Sequence, residues 1–138
     1  MGVPNKPQHW FDVASERASD ADAMLPSRNT SNGPVYMAGW AVECALNGCL
    51  VRYGVVRPRP IQGEAHHDLR RLWHAAGLRM GDLSDPNGHK AWLLDSWGTH
   101  LRYDTDRNIP ATNADIVKAA RQLTGFLYKI VRRQRSRK

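Results

Sequence analysis

Pro34-Val-Tyr-Met-Ala-Gly-Trp-Ala-Val-Glu-Cys-Ala-Leu-Asn-Gly-Cys-Leu-Val-Arg-Tyr53 is apolar on most sides when wound at 3.6 residues per turn. A helix without a broad polar face belongs inside a bundle, so this segment predicts the central helix of the domain. Gly39 and Gly48 cost stability in a helix interior, and the reading that explains them is close approach by a neighbouring backbone. Glu43 lies in the middle of this apolar run, where an ionised carboxylate costs several kcal/mol unless it is paired. Either Glu43 faces a wet edge of the bundle, or it orients a His or Arg from another helix.

Outward from this helix, apolar spacing stays helical and no alternating β-branched segment occurs. A first helix is expected over about residues 8–25, its stripe made by Trp10, Val13, Ala14, Ala18, Ala21, Met24 and Leu25, with Pro26 as its stop. After the central helix, Gly54 and the Pro-rich stretch from Arg57 form a loop. A short third helix is expected over about 65–76, ended by Gly77. Asp85-Pro86 starts a fourth that carries Trp92, Leu93, Leu94, Trp97 and Leu101, with Gly98 able to shorten it. Thr112 caps a fifth, with Ile116, Ala120, Leu123, Leu127 and Ile130 at strict helical spacing. The expected fold is an all-α, five-helix antiparallel bundle, with Trp40 and Trp73 in its core.

A chain of 138 residues and 15.6 kDa accommodates one such domain, over 1–131, followed by a basic tail, 132–138. The formal charge of +7 concentrates at the end of the sequence: Lys129, Arg132, Arg133, Arg135, Arg137 and Lys138 stand in the last ten residues with no acid among them. Such a terminal run reads as a solvated, disordered end, with contact to RNA or another polyanion as its functional alternative. Cys44 and Cys49 are too few to staple the domain and read as buried, reduced thiols. No apolar run is long enough to cross a bilayer, so no membrane partner is expected, and the opening residues carry no secretory pattern, which makes the cytoplasm the expected location.

Chemistry-bearing residues fall in two clusters. Glu64-Ala-His-His-Asp-Leu-Arg-Arg71 packs acids, imidazoles and guanidinium groups into the start of the third helix. There His67 with Asp68 suggests a general base beside an orienting carboxylate, although neighbours on a helix point about 100° apart and capping is the better reading. His100-Leu-Arg-Tyr103, followed by Asp104 and Asp106, sets a cation beside a phenol, and Arg102 suits a phosphate or carboxylate, or else an ion pair with Glu43 or a loop acid. Glu43, His67 and Arg102 are expected to converge at one polar cleft. No phosphate-binding glycine loop, nucleophile elbow or spaced metal triad occurs, so neither a metal nor another cofactor is expected.

Tyr36-Met-Ala-Gly-Trp-Ala-Val-Glu-Cys-Ala-Leu46, His67-Asp-Leu69 and Leu101-Arg-Tyr103, spaced over a five-helix chain, resemble the HEPN family of small helical domains. The similarity covers roughly residues 9–131. It implies a homodimer that binds RNA, a nucleotide or a partner protein in a bacterial toxin-antitoxin or antiviral setting, with a nucleotidyltransferase or other antitoxin protein as cognate partner. It also implies, as alternatives, a metal-independent endoribonuclease or a ligand-free dimerisation module. Carried onto this chain, the resemblance points to His67, His100 and Arg102 as catalytic, and to Glu43, Asp68, Arg71 and Tyr103 as ligand-binding. Members that cleave RNA carry an Arg followed by a His with four to six residues between, in the late helices. No His follows Arg102, Arg107 or Arg121 at that distance, and the pair that meets it, Arg59 and His66, lies in and after the Pro-bounded loop.

Overall fold

The computed structural model describes residues 6–52 and 67–136, with side chains as far as Arg133. These residues form five α-helices: α1 (Pro7–Arg28), α2 (Gly33–Arg52), α3 (Leu69–Ala75), α4 (His89–Ser96) and α5 (Asn113–Ser136). Two 3-10 turns, Met80–Asp82 and Thr99–Arg102, complete the regular structure, and there is no strand among the described residues. The spaced pair Arg59 and His66 falls outside the described residues, as do Gly54 and Glu64.

α2 is the centre of the molecule, as its apolar surface requires. It packs against α1, α3, α5 and the Thr99–Arg102 turn, and every residue from Ala41 to Leu50 is buried. Val35, Val42, Leu46 and Leu50 meet Leu69, Leu72 and Trp73 of α3, Leu93 and Leu94 of α4, and Ile116, Leu123 and Leu127 of α5 in one continuous core. Gly39 and Gly48 of α2 are seats for aromatic rings rather than for a neighbouring backbone. A Cβ at Gly39 would fall inside the Trp97 indole, and one at Gly48 would lie 2.9 Å from the Phe11 ring. Phe11, absent from the expected stripe of α1, is buried and sits edge-on to Tyr128 at 5.1 Å.

Several boundaries differ from the sequence reading for physical reasons. α1 continues through Pro26 to Arg28; the proline removes one N–H donor, but in the final turn little helix remains to be disrupted. α3 begins only at Leu69, because the Asp68 carboxylate accepts the Arg71 amide at 3.2 Å and so caps the helix there. α4 stops at Ser96: Trp97 and Gly98 are extended, and Leu101 belongs to the separate 3-10 turn. Its start is held by Asp85, whose two oxygens accept the amides of Lys90 and Ala91 at 3.0 and 2.9 Å. Gly88 supplies the positive φ of 78° that this turn needs.

The basic segment is a further correction. Instead of leaving the bundle as an irregular tail at Arg132, α5 runs on to Ser136. Adding residues to an existing helix is cheap once its first turns are packed, and Arg and Lys are good helix formers that suit a helix C-terminus. The side chains of Arg135, Arg137 and Lys138 lie outside the described residues. Trp40, expected in the core, is half-buried, with the Arg17 guanidinium 5.3 Å above its ring, whereas Trp73 is fully buried.

Candidate functional site

Tyr36, Trp40, Glu43 and Asn47 recur at helical spacing and therefore share one face of α2. The aromatic pair is half-buried and the polar pair is buried, Glu43 at 8% and Asn47 at 7% exposure. Among the described residues the Asn47 Oδ1 has no hydrogen-bond partner. This stripe of polar and aromatic groups inside an otherwise apolar helix forms the back wall of the site, behind the residues that line its cleft.

The second wall comes from α3. Because Asp68 caps that helix, His67 stands just ahead of its first turn and faces back to α2, where its Nδ1 lies 2.6 Å from the Glu43 Oε1. Glu43 thus adopts the second of its two sequence readings, orienting an imidazole from another element. The carboxylate that orients His67 is this one, 24 positions earlier in the chain, and not the adjacent Asp68, which is engaged with its own helix.

The third wall is the segment after α4. Trp97 fills the notch left by Gly39, stacks on Tyr36 at 5.7 Å with 19° between the rings, and donates its indole N–H to the Tyr36 carbonyl at 3.2 Å. From that anchor the 3-10 turn carries Arg102 outward. Its guanidinium carbon lies 5.9 Å from the Tyr36 ring centre and 5.7 Å from that of Tyr103, and its Nε reaches the Thr99 carbonyl at 3.5 Å. The loop beyond is stitched to the α1–α2 connection by buried amides. Asn32 donates to the carbonyls of Asp104 and Asp106, both at 3.1 Å, and Asn113 donates to those of Arg28 and Ser31. Arg107 closes the same knot by donating to Asn113, Ile109 and Ala111, which makes it a structural residue.

Between the walls lies a cleft of about 660 Å³. His67, Asp68, Arg71, His100 and Tyr103 line it, together with Asp95, Trp97, Gly98 and Thr99. Five of the residues singled out from sequence therefore meet in one place. Glu43 stands behind His67 rather than on the surface of the cleft, and Arg102 lies at the rim between its two rings. The expected convergence holds for Glu43 and His67; Arg102 joins them through Tyr36, and among the described residues it pairs with no carboxylate. The cleft's own acids have arginine neighbours: Asp68 is 3.7 Å from Arg71 and Asp95 is 2.7 Å from Arg70. Tyr103 is 82% exposed.

The electrostatics follow from burial. Desolvation raises the Tyr36 phenol above its ordinary value, with the Arg102 charge opposing and Glu43 reinforcing the shift. The Cys44 thiol is pushed up to about 12 by burial and by neighbouring Glu43, and Cys49 to about 12 by burial, so both are inert, protonated core groups. Cys49 approaches the Leu127 carbonyl at 3.8 Å. Among the described residues no three His, Cys, Asp or Glu side chains gather closely enough to hold a metal ion. Nor is any helix among them long and apolar enough to cross a membrane.

Arg132 lies over Tyr128 at 5.8 Å, and both Arg132 and Arg133 are exposed on α5; neither lines the cleft. Sequence reasoning missed Tyr36, Trp40 and Asn47 as a stripe, and Asn32, Asn113 and Arg107 as a knot. The helical spacing of the first three was a usable signal; the knot joins residues more than 70 positions apart and left none. Comparison with protein-family models, with curated proteins and with solved structures returned no match to this chain.

Proposed function

We propose that this chain is a HEPN-like domain, an antiparallel five-helix bundle that binds RNA or a nucleotide at the cleft between α3, the end of α4 and the Thr99–Arg102 turn. The observation that carries the reading is the meeting of His67, Arg71 and His100 along one cleft, with Arg102 at its rim. Imidazole and guanidinium groups donate hydrogen bonds to phosphate oxygens, and guanidinium does so in a planar fork. The HEPN assignment rests on the spacing of the Tyr36–Leu46, His67–Leu69 and Leu101–Tyr103 segments. With it come a homodimer, a cytoplasmic toxin-antitoxin or antiviral setting, and a nucleotidyltransferase or other antitoxin as partner.

The test is fluorescence anisotropy with a labelled, unstructured RNA oligomer, and calorimetry with AMP. Binding that is lost in the Arg71→Ala/His100→Ala double variant and kept in Gln122→Ala is the expected result. No binding of either ligand at millimolar concentration, or equal binding by the double variant, overturns the reading.

One observation favours a second reading, a metal-independent endoribonuclease. An imidazole held by a buried carboxylate at 2.6 Å has the orientation a general base requires, and Arg102 or His100 would serve the phosphate or the leaving group. Incubation of total RNA with the protein in chelator, beside a His67→Ala control, separates the two. Cleavage with 2′,3′-cyclic ends that the variant lacks supports the enzyme; intact RNA under both conditions removes it.

A further inference from the structure

We infer that Tyr103 and Arg102 form a stacking subsite for one unpaired nucleobase at the rim of the cleft, an inference that rests on the RNA- or nucleotide-binding reading above. The geometry is a column. Trp97 stacks on Tyr36, the Arg102 guanidinium lies 5.9 Å from the Tyr36 ring centre and 5.7 Å from that of Tyr103, and Tyr103 ends the column with 82% of its surface open. The inner members are anchored, since Trp97 is buried against Gly39 and hydrogen-bonded to the Tyr36 carbonyl. The exposed Tyr103 ring thus stands beside a cation whose other aromatic neighbour is anchored, and an open ring next to a cation can take the face of a single-stranded base.

Charge argues for a base as a handle beside the phosphate. Arg70 and Arg71 have the carboxylates of Asp95 and Asp68 at 2.7 and 3.7 Å, whereas Arg102 has no carboxylate within ion-pair distance among the described residues. One cation makes about one phosphate contact, too few to hold a nucleic acid by its backbone. Stacking of a base on Tyr103 then adds to the phosphate contacts of Arg71 and His100. A base within a duplex has both faces covered, so the ligand is a single strand or a free nucleotide, with purines favoured for their larger ring overlap.

The experiment uses the whole chain and three short labelled RNA probes of one sequence: with a central adenosine, with an abasic residue in its place, and annealed to its complement. The adenosine probe is expected to bind about tenfold more tightly than the abasic one, the scale of one stacked base. Tyr103→Ala should erase that difference and Tyr103→Phe should keep it. Because Tyr103 is exposed, neither substitution threatens the fold, which circular dichroism verifies. Equal binding of adenosine and abasic probes, or no effect of Tyr103→Ala, overturns the subsite while leaving RNA binding at the cleft intact. Failure of every probe to bind removes both. A Tyr103→Ala variant that changes the mass in light scattering but not RNA affinity would assign the ring to a second copy of the chain, against the proposal.

Discussion

At 8% exposure, Glu43 carries a carboxylate within the most deeply packed helix, and its short bond to His67 offsets part of the desolvation that this requires. The His67 side chain is 42% exposed and can turn to water when that partner is removed. Glu43→Ala is therefore expected to cost about 1–2 kcal/mol, read as a lower urea midpoint at unchanged slope, rather than the larger loss of a fully buried pair. The thiols give a second expectation. Both are raised from 9.0 to about 12 in the folded chain, so the native state holds their protons more tightly than the unfolded one. Their contribution is complete below pH 9 and is lost as pH rises from 9 toward 12, with Tyr36 acting in the same direction. Stability measured by denaturation should fall across that window, and Ellman's reagent at pH 8 should label neither thiol until the protein is unfolded.

Helices of this molecule are positioned by where side chains are missing as much as by where they pack. In α2, a methyl group at Gly39 would displace the Trp97 indole, and with it the wall on which Tyr36 and Arg102 stack. In α5, a methyl group at Gly125 would meet nothing within 4 Å. The same substitution should act oppositely at the two sites. Gly39→Ala is expected to destabilise by about 1–3 kcal/mol through overpacking, and Gly125→Ala to stabilise by about 0.5–1 kcal/mol through helix propensity. Thermal melts of the two variants check both signs, and a stabilised Gly39→Ala would show that Trp97 has room to move.

For the whole molecule, the basic end of α5 lies beyond Val131, the last core residue of the helix, with Arg132 placed over Tyr128. Truncation after Val131 should lower the melting temperature by no more than a few degrees, and it should weaken RNA binding most at low salt if the segment touches phosphate. A larger thermal loss would mean that the helical end is docked. Helix count, the central place of α2 and the capping roles of Asp68, Asp85 and Thr112 were legible in the sequence, since they depend on periodicity and on groups a few residues apart. The same locality explains why the helical state of Arg132–Ser136 was missed: a charge run shows no apolar period, yet a helix already packed upstream propagates through it. Glu43's need for a partner was also legible, because burial of a carboxylate follows from its apolar neighbours. Which partner it takes was not, nor was the seating of Trp97 on Gly39 or the Tyr36–Arg102–Tyr103 column. The long-range members of those pairings join residues 24 to 66 positions apart, and only the packing of α2 against α3 and the Thr99–Arg102 turn brings them within reach.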